Sequence, residues 1–331
     1  MASGTTTDDD RAFAAALDAA RRAPDHPAAA DPSSLALLAM AQRIGARDVT
    51  VLVGGPTGTG KEGLARLIHS SSPRRDAPFV AVNCAALPEA MLEALLFGHE
   101  RGAFTGAQGA AKGLMRAAHG GTLLLDEVAE LPLGSQAKLL RALQEREVLA
   151  IGANTAVKID VRIVATANRD LGGEVAAGRF RADLFYRLAV FPLATTRLAA
   201  RRADIVPIAA ALLLRLAGAN PPRPSAAALA RLVAHDWPGN VRELGNVLER
   251  ALIHADGPRI EARDIVFDAA PQPDLAVRSL PVQVQSHEHD MIRRTLRDCA
   301  GRRIDAARHL GISERTLRYK LAAMGAQATV Q

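Results

Sequence analysis

Gly55-Pro56-Thr57-Gly58-Thr59-Gly60-Lys61-Glu62 is the stretch on which the fold turns. Ahead of it, the alternating apolar run at residues 49–53 reads as a strand, and behind it residues 63–69 read as a helix. Strand, glycine-rich turn, lysine and helix together make a cradle for phosphate. Glycines let backbone N–H groups approach phosphate oxygens where a Cβ would stand in the way. The start of the helix adds unpaired N–H groups and the positive end of its dipole. Lys61 brings a full positive charge to the β/γ-phosphate position. Glu62 stands where such a loop ordinarily carries Ser or Thr, so the pattern is one residue short.

The rest of the chain is read outward from that loop. At 331 residues the length suggests two or three domains and room for a large core. Aromatic residues are only 3% of the chain, so the core must rest on Leu, Val, Ile and Ala. A net charge of +6 favours polyanionic partners. Cys84 and Cys299 lie far apart and show no metal-ligand spacing, which fits two idle thiols in a reducing compartment. No run of apolar residues is long enough to span a bilayer, and the acidic, polar start MASGTTTDDD is no secretory signal. A cytoplasmic protein without membrane contact is the expectation.

Between residues 33 and 191 helix and strand alternate. Candidate strands lie at 49–53, 79–82, 122–125, 161–166 and 190–193. Such alternation predicts a parallel sheet with helices on both faces and ligands at the carboxyl ends of its strands. Residues 205–216, 225–235 and 241–254 read as helices of a small all-helical subdomain. Residues 11–22 can form a helix with Phe13 and Leu17 on one face; a frayed tail and a docking helix remain equally open. The expected organisation is a short Ala-rich segment (1–30), an α/β subdomain (31–200), a helical subdomain (201–256), a linker with one short element at most (257–286) and a C-terminal helical domain (287–325).

A second phosphate-site signature is Gly121-Thr122-Leu123-Leu124-Leu125-Asp126-Glu127. A buried apolar strand ends there in two carboxylates. Asp126 is placed to hold Mg²⁺ on the phosphates, and Glu127 to polarise a water for attack on the γ-phosphate. Alone, such a run is commonly a plain strand end. With the Gly55 loop upstream it points to ATP hydrolysis. A third segment, Gly102-Ala103-Phe104-Thr105-Gly106-Ala107, sets one Phe and one Thr among small residues. Composition favours an ordinary turn with its Phe folded inward; the other reading is a mobile loop gripping a partner protein.

These residues resemble the bacterial sigma-54-dependent activators, enhancer-binding AAA+ ATPases, whose Gly-Ala-Phe-Thr-Gly-Ala signature is spelled by residues 102–107. The resemblance runs from about Leu35 to Ala323 and takes in the Gly55–Glu62 loop, whose terminal Glu is usual in this family. It includes residues 83–87 (NCAAL), the Asp126-Glu127 strand, residues 165–169 (ATANR), 180–188 (FRADLFYRL) and 237–244 (WPGNVREL). The fold implied is an AAA+ P-loop ATPase, an α/β parallel sheet flanked by helices, with an α-helical lid subdomain and a C-terminal all-α helix-turn-helix domain.

The resemblance also implies roles. Asn83 would hold Glu127 off water until ATP is bound, and Asn168 would sense the γ-phosphate. Arg181 and Arg187 would be arginine fingers offered to the ATP of the next subunit, where a cation stabilises charge developing on the γ-phosphoryl. Without the resemblance they read as surface salt-bridge partners. Arg242 would be the lid sensor, and Ile205 would line the adenine pocket. Fingers acting in trans imply a ring, a hexamer in this family. The loop 102–107 would contact sigma-54. Two departures stand out: Gly-Pro-Thr replaces Gly-Glu-Ser at the start of the phosphate loop, and residues 191–198 lack the usual Pro- and Arg-rich form before the lid.

At the C-terminus, residues 291–299 and 302–310 read as helices, Gly311-Ile312 as a turn, and Ser313 as the cap of a third helix. This spacing, and its resemblance to the Fis-type module of the same family, predicts a helix-turn-helix binding double-stranded enhancer DNA. Arg303, Ser313, Arg315, Thr316, Arg318, Tyr319 and Lys320 are the candidate contacts. Only about thirty residues precede the ATPase here, too few for the receiver or sensor domain common in the family. Control by a regulator acting in trans, by expression level or by no signal remains open. The expected function is an ATP-hydrolysing activator that remodels the closed complex of sigma-54 RNA polymerase. A DNA-binding repressor on the same fold that does not act on sigma-54 is the alternative from another class.

Overall fold

The computed structural model describes residues 8–103 and 109–267. In chain order, α1 (Asp8–Arg22) and α2 (Pro32–Gly45) precede β1 (Val51–Gly54), α3 (Lys61–Ser70), β2 (Phe79–Asn83), α4 (Glu89–Phe97) and β3 (Thr122–Asp126). Then come α5 (Leu133–Glu145), β4 (Arg162–Ala167), α6 (Ala182–Leu188) and β5 (Phe191–Ala194), followed by α7 (Ile205–Ala217), α8 (Ala226–Ala234) and α9 (Asn240–His254). The five strands form one sheet in the order β2-β3-β4-β1-β5, with every pairing parallel.

The pleat divides the apolar residues between two cores. Leu52, Leu123, Leu125, Ile163 and Ala165 face one side, where α4, α5 and α6 contribute Leu92, Leu96, Leu139 and Leu184. Val51, Val53, Leu124 and Val164 face the other, covered by Leu38, Ala41 and Ile44 of α2 and Leu64, Leu67 and Ile68 of α3. Burial on both faces is why β3 and β4 read as continuous apolar runs rather than alternating ones. Parallel strands end together, so Gly54, Asn83, Asp126 and Ala167 come to one edge of the sheet.

The lid is built on a separate core of Leu198, Ile208, Leu212, Leu232, Trp237, Leu244 and Leu248. Trp237 is 1% exposed, with its indole N–H satisfied by the Leu232 carbonyl at 2.8 Å. One feature of the lid decides between two open readings, and a second goes beyond the sequence reading. Helix α1 docks on α7, with Phe13 and Leu17 each 1% exposed inside the lid core. The chain past residue 257, expected as linker, continues into the lid as far as Phe267. Arg259–Ile260 pair with Arg223–Pro224, Ile260 and Ile265 are buried, and the Phe267 ring stacks on His235 at 4.0 Å. Low sequence periodicity concealed these contacts because each is made by a single apolar residue. No helix among the described residues is long and apolar enough to cross a membrane. The helix-turn-helix expected at 287–325 lies outside the described residues.

Candidate nucleotide site

The phosphate loop leaves β1 as a string of left-handed glycines: Gly55 at φ +138°, Gly58 at +76° and Gly60 at +97°. A Cβ on Gly55 would strike Thr195, and one on Gly58 would meet the Gly239 carbonyl at 2.4 Å, whereas one on Gly60 would meet nothing within 4 Å. Gly60 thus borders open space and also caps α3 without any side-chain bond, which leaves the first N–H groups of the helix available to an anion. The Pro56 carbonyl accepts the Thr59 hydroxyl at 2.8 Å, and Thr59 also bonds the Thr195 hydroxyl at 2.7 Å, so the turn is braced from within and from the segment after β5.

Lys61 is 7% exposed, its Nζ donating to the carbonyls of Gly55 and Pro56 at 2.8 and 2.9 Å. Burial pushes its pKa below the ordinary lysine value, while Asp126 and Glu127 pull it back up. At the end of β3, the Thr166 hydroxyl donates to Asp126 and accepts the Glu127 N–H at 3.0 Å. Glu127 stands at φ +56°, a left-handed conformation uncommon outside glycine and frequent at functional sites.

These groups meet in one cleft of about 340 Å³ lined by Thr57, Gly58, Gly60, Lys61, Glu62, Asp126, Glu127 and Arg242. Its far wall comes from the lid: Leu212, Arg215 and Leu216 of α7, and Gly245, Asn246 and Glu249 of α9. Sequence reasoning missed that wall. The signal was present as helical spacing, since Gly245, Asn246 and Glu249 follow Arg242 at intervals that keep one face.

Other expected residues are disposed differently. Ile205, expected at the adenine pocket, is fully buried in the lid core and is not among the residues lining the cleft. Asn168 Nδ2 reaches Glu127 Oε1 at 3.5 Å, while its own Oδ1 is buried without a partner. Asn83 lies beside Asp126 in the strand register, with its Oδ1 accepting the Ala85 N–H at 2.8 Å rather than engaging Glu127. Arg181 and Arg187 are exposed and are not among the residues lining the cleft. Arg181 pairs with Asp183 at 2.8 Å, and Arg187 donates to the Leu143 carbonyl at 3.0 Å.

The loop after α4 rises from a clamped stem. His99 and Ala111 exchange backbone bonds at 3.0 and 2.9 Å, and Gly98 and Gly113, both left-handed, pack too closely for any Cβ. Gly102 and Ala103 continue from this stem, whereas Phe104, Thr105, Gly106 and Ala107 lie outside the described residues.

The cleft suits a nucleotide polyphosphate and a magnesium ion. It combines free helix N–H groups, an ammonium and hard carboxylate oxygens, and Mg²⁺ is commonly held by one or two carboxylates plus substrate phosphates.

Comparison with known proteins agrees as to the nucleotide. Residues 28–194 match the profile of the sigma-54 interaction domain, 199–279 that of an AAA+ ATPase lid domain, and 284–324 that of the Fis family of bacterial regulatory proteins. The response regulator protein FleR of Pseudomonas aeruginosa is 49% identical over 91% of this chain and 70% of its own. The regulatory protein AtoC of Escherichia coli is 46% identical over 86% of this chain and 64% of its own. The sigma54-dependent transcriptional activator SfnR of Pseudomonas putida is 41% identical over 89% of this chain and 87% of its own. The chain thus spans about two thirds of the length of FleR and AtoC. Among solved structures, NtrX from Brucella abortus in complex with ADP shares 32% identity at a TM-score of 0.66, over 93% of this chain and 72% of that one.

Proposed function

The chain belongs to the sigma-54-dependent transcriptional activators, and from that membership we propose how its cleft turns ATP hydrolysis into work on the polymerase. The observation that carries the reading is the convergence of Lys61, Asp126 and Glu127 on one cleft between the sheet edge and the lid.

Lys61 leaves the carbonyls of Gly55 and Pro56 to meet the β- and γ-phosphates, which carry more charge than a carbonyl dipole. Asp126 would hold Mg²⁺, which when bound would neutralise phosphate charge. Glu127 accepts the proton of the attacking water. Asn168, already within reach of Glu127, positions that water or the γ-phosphate. Asn83 donates its Nδ2–H to Glu127 when ATP is absent, while its Oδ1 keeps the Ala85 N–H. Arg181 and Arg187 serve the neighbouring subunit, an assignment supported by their exposure and by their not lining this chain's own cleft, and hydrolysis therefore requires a ring, a hexamer by family resemblance. Arg242 couples phosphate to the lid. The loop 102–107 carries the stroke from its stem to sigma-54. Residues 287–325, with Arg303, Ser313, Arg315, Thr316, Arg318, Tyr319 and Lys320, bind enhancer DNA. The protein acts in the cytoplasm with the polymerase.

The test is promoter opening. Purified protein with ATP, sigma-54 holoenzyme and supercoiled DNA carrying its own upstream site should convert closed complexes to open ones, with ATPase rate per subunit rising with protein concentration as rings form. Hydrolysis that is independent of concentration, with no promoter opened, would sink the reading.

A further inference from the structure

Three successive carbonyls of the phosphate loop are held from outside the loop. Asn240 Nδ2 donates to Thr57 O at 2.9 Å, the Val241 N–H to Gly58 O at 2.9 Å, and the Arg201 guanidinium to Thr59 O at 2.7 Å. All three donors belong to the lid or to the hinge that leads into it. In a planar trans peptide, a carbonyl and the N–H of the next residue point in opposite directions. Drawing the carbonyls of Thr57, Gly58 and Thr59 toward the lid therefore turns the N–H groups of Gly58, Thr59 and Gly60 the other way. Among the described residues, the N–H groups of Gly58 and Gly60 have no acceptor.

The two side-chain donors are themselves locked. Asn240 is 2% exposed at φ +56°, and its Oδ1 accepts the Leu198 N–H at 2.8 Å, which fixes which end of the carboxamide faces Thr57. Arg201 pairs at 3.3 Å with Asp204, which is fully buried and also accepts the N–H groups of Ala30 and Asp31 at 2.6 and 2.7 Å and the Ser34 hydroxyl. Four donors converging on one carboxylate leave Arg201 little freedom to turn away.

We propose that Asn240 and Arg201 are positioning residues for the nucleotide phosphates, aiming the N–H groups of the phosphate loop from the lid side without touching phosphate. The inference rests on the loop being the phosphate site. It adds that the shape of the anion nest depends on where the lid sits, because a lid that swings takes two of its three outer donors with it.

The experiment is equilibrium binding of ADP to the full chain by calorimetry, with no hydrolysis involved. Parent, Lys61→Ala, Asn240→Ala, Asn240→Asp, Arg201→Ala and Arg201→Lys are compared, and circular dichroism checks that each is folded at the assay temperature. Asn240→Ala and Arg201→Ala should each weaken ADP about tenfold, the scale of one lost hydrogen bond to or from a charged group. Arg201→Lys keeps a charged donor and should recover most of the loss. Asn240→Asp keeps the acceptor for Leu198 but turns an acceptor toward Thr57 O, and should bind at least as weakly as Asn240→Ala. ADP affinity within about twofold of the parent in the folded alanine variants would overturn the proposal. So would a lowered melting midpoint with unchanged affinity. Should the alanine variants not fold, parent-like binding by Asn240→Asp overturns it in their place. Equal binding by parent and Lys61→Ala would instead overturn the loop as phosphate site, and this inference with it.

Discussion

The Thr166 hydroxyl donates to a carboxylate oxygen of Asp126 on the adjacent strand. The same oxygen of Thr166 accepts the Glu127 N–H at 3.0 Å, so one side chain orients both acidic residues at the edge of the sheet. Asp126 and Glu127 both line the cleft, and Glu127 stands there in its left-handed conformation.

Glu127→Gln keeps the shape of this corner and removes the base. ATP hydrolysis should fall by about 10²- to 10⁴-fold, the usual worth of a general base, with ATP affinity little changed. Steady-state hydrolysis and fluorescent-nucleotide binding check the two halves. Near-parent turnover would assign the base elsewhere.

Lys61→Ala removes the only lysine among the described residues that line the cleft. Nucleotide binding should be lost at concentrations that saturate the parent. Calorimetry with ATP and with ADP decides, and retained binding would contradict the role given to Lys61.

Phe104→Ala should spare ATP hydrolysis and abolish opening of a sigma-54 promoter. The two activities are measured on one preparation. Full activation by this variant would refute the role given to the loop.

Phe13→Ala leaves a hole where α1 enters the lid core. A buried Phe truncated to Ala typically costs about 3–5 kcal/mol, so the melting midpoint should drop by several degrees. An unchanged midpoint would mean that α1 does not contribute to the fold in solution.

Cys84 is 2% exposed, and burial, aided by the negative charges of Asp126 and Glu127, pushes its thiol up to about 12. The thiolate is the reactive form, so maleimide at pH 8 should leave Cys84 unlabelled in the native protein and label it after denaturation, as peptide mass spectrometry reads. The linkage has a definite sign. The unfolded thiol ionises from its ordinary value of 9.0 while the folded one stays neutral, so this contribution to stability is intact below about pH 9 and is lost as pH rises toward 12. Native labelling at pH 8 would show that the site opens.

Much of the architecture was open to reading from the chain alone. Each of the five expected strands lies within two residues of its observed bounds, because the strands of a parallel sheet covered on both faces read as short, largely apolar runs. The phosphate loop and the Asp126-Glu127 corner were legible for a related reason: a short backbone cradle and a strand-end carboxylate pair are local features, written in consecutive residues. For Ile205, its place in a motif does not say which way a buried side chain faces, and its burial in the lid core is a matter of packing.

What tertiary structure alone decided is how distant segments complete the cleft. Thr57 and Asn240 are 183 positions apart, and nothing in the identity of either predicts that a lid carboxamide would hold a phosphate-loop carbonyl. The docking of Phe13 and Leu17 on α7 and the return of Ile260 and Ile265 to the lid core are likewise choices of packing. Periodicity reveals that a residue has an apolar or polar side to satisfy. Only the packed chain selects the partner that satisfies it.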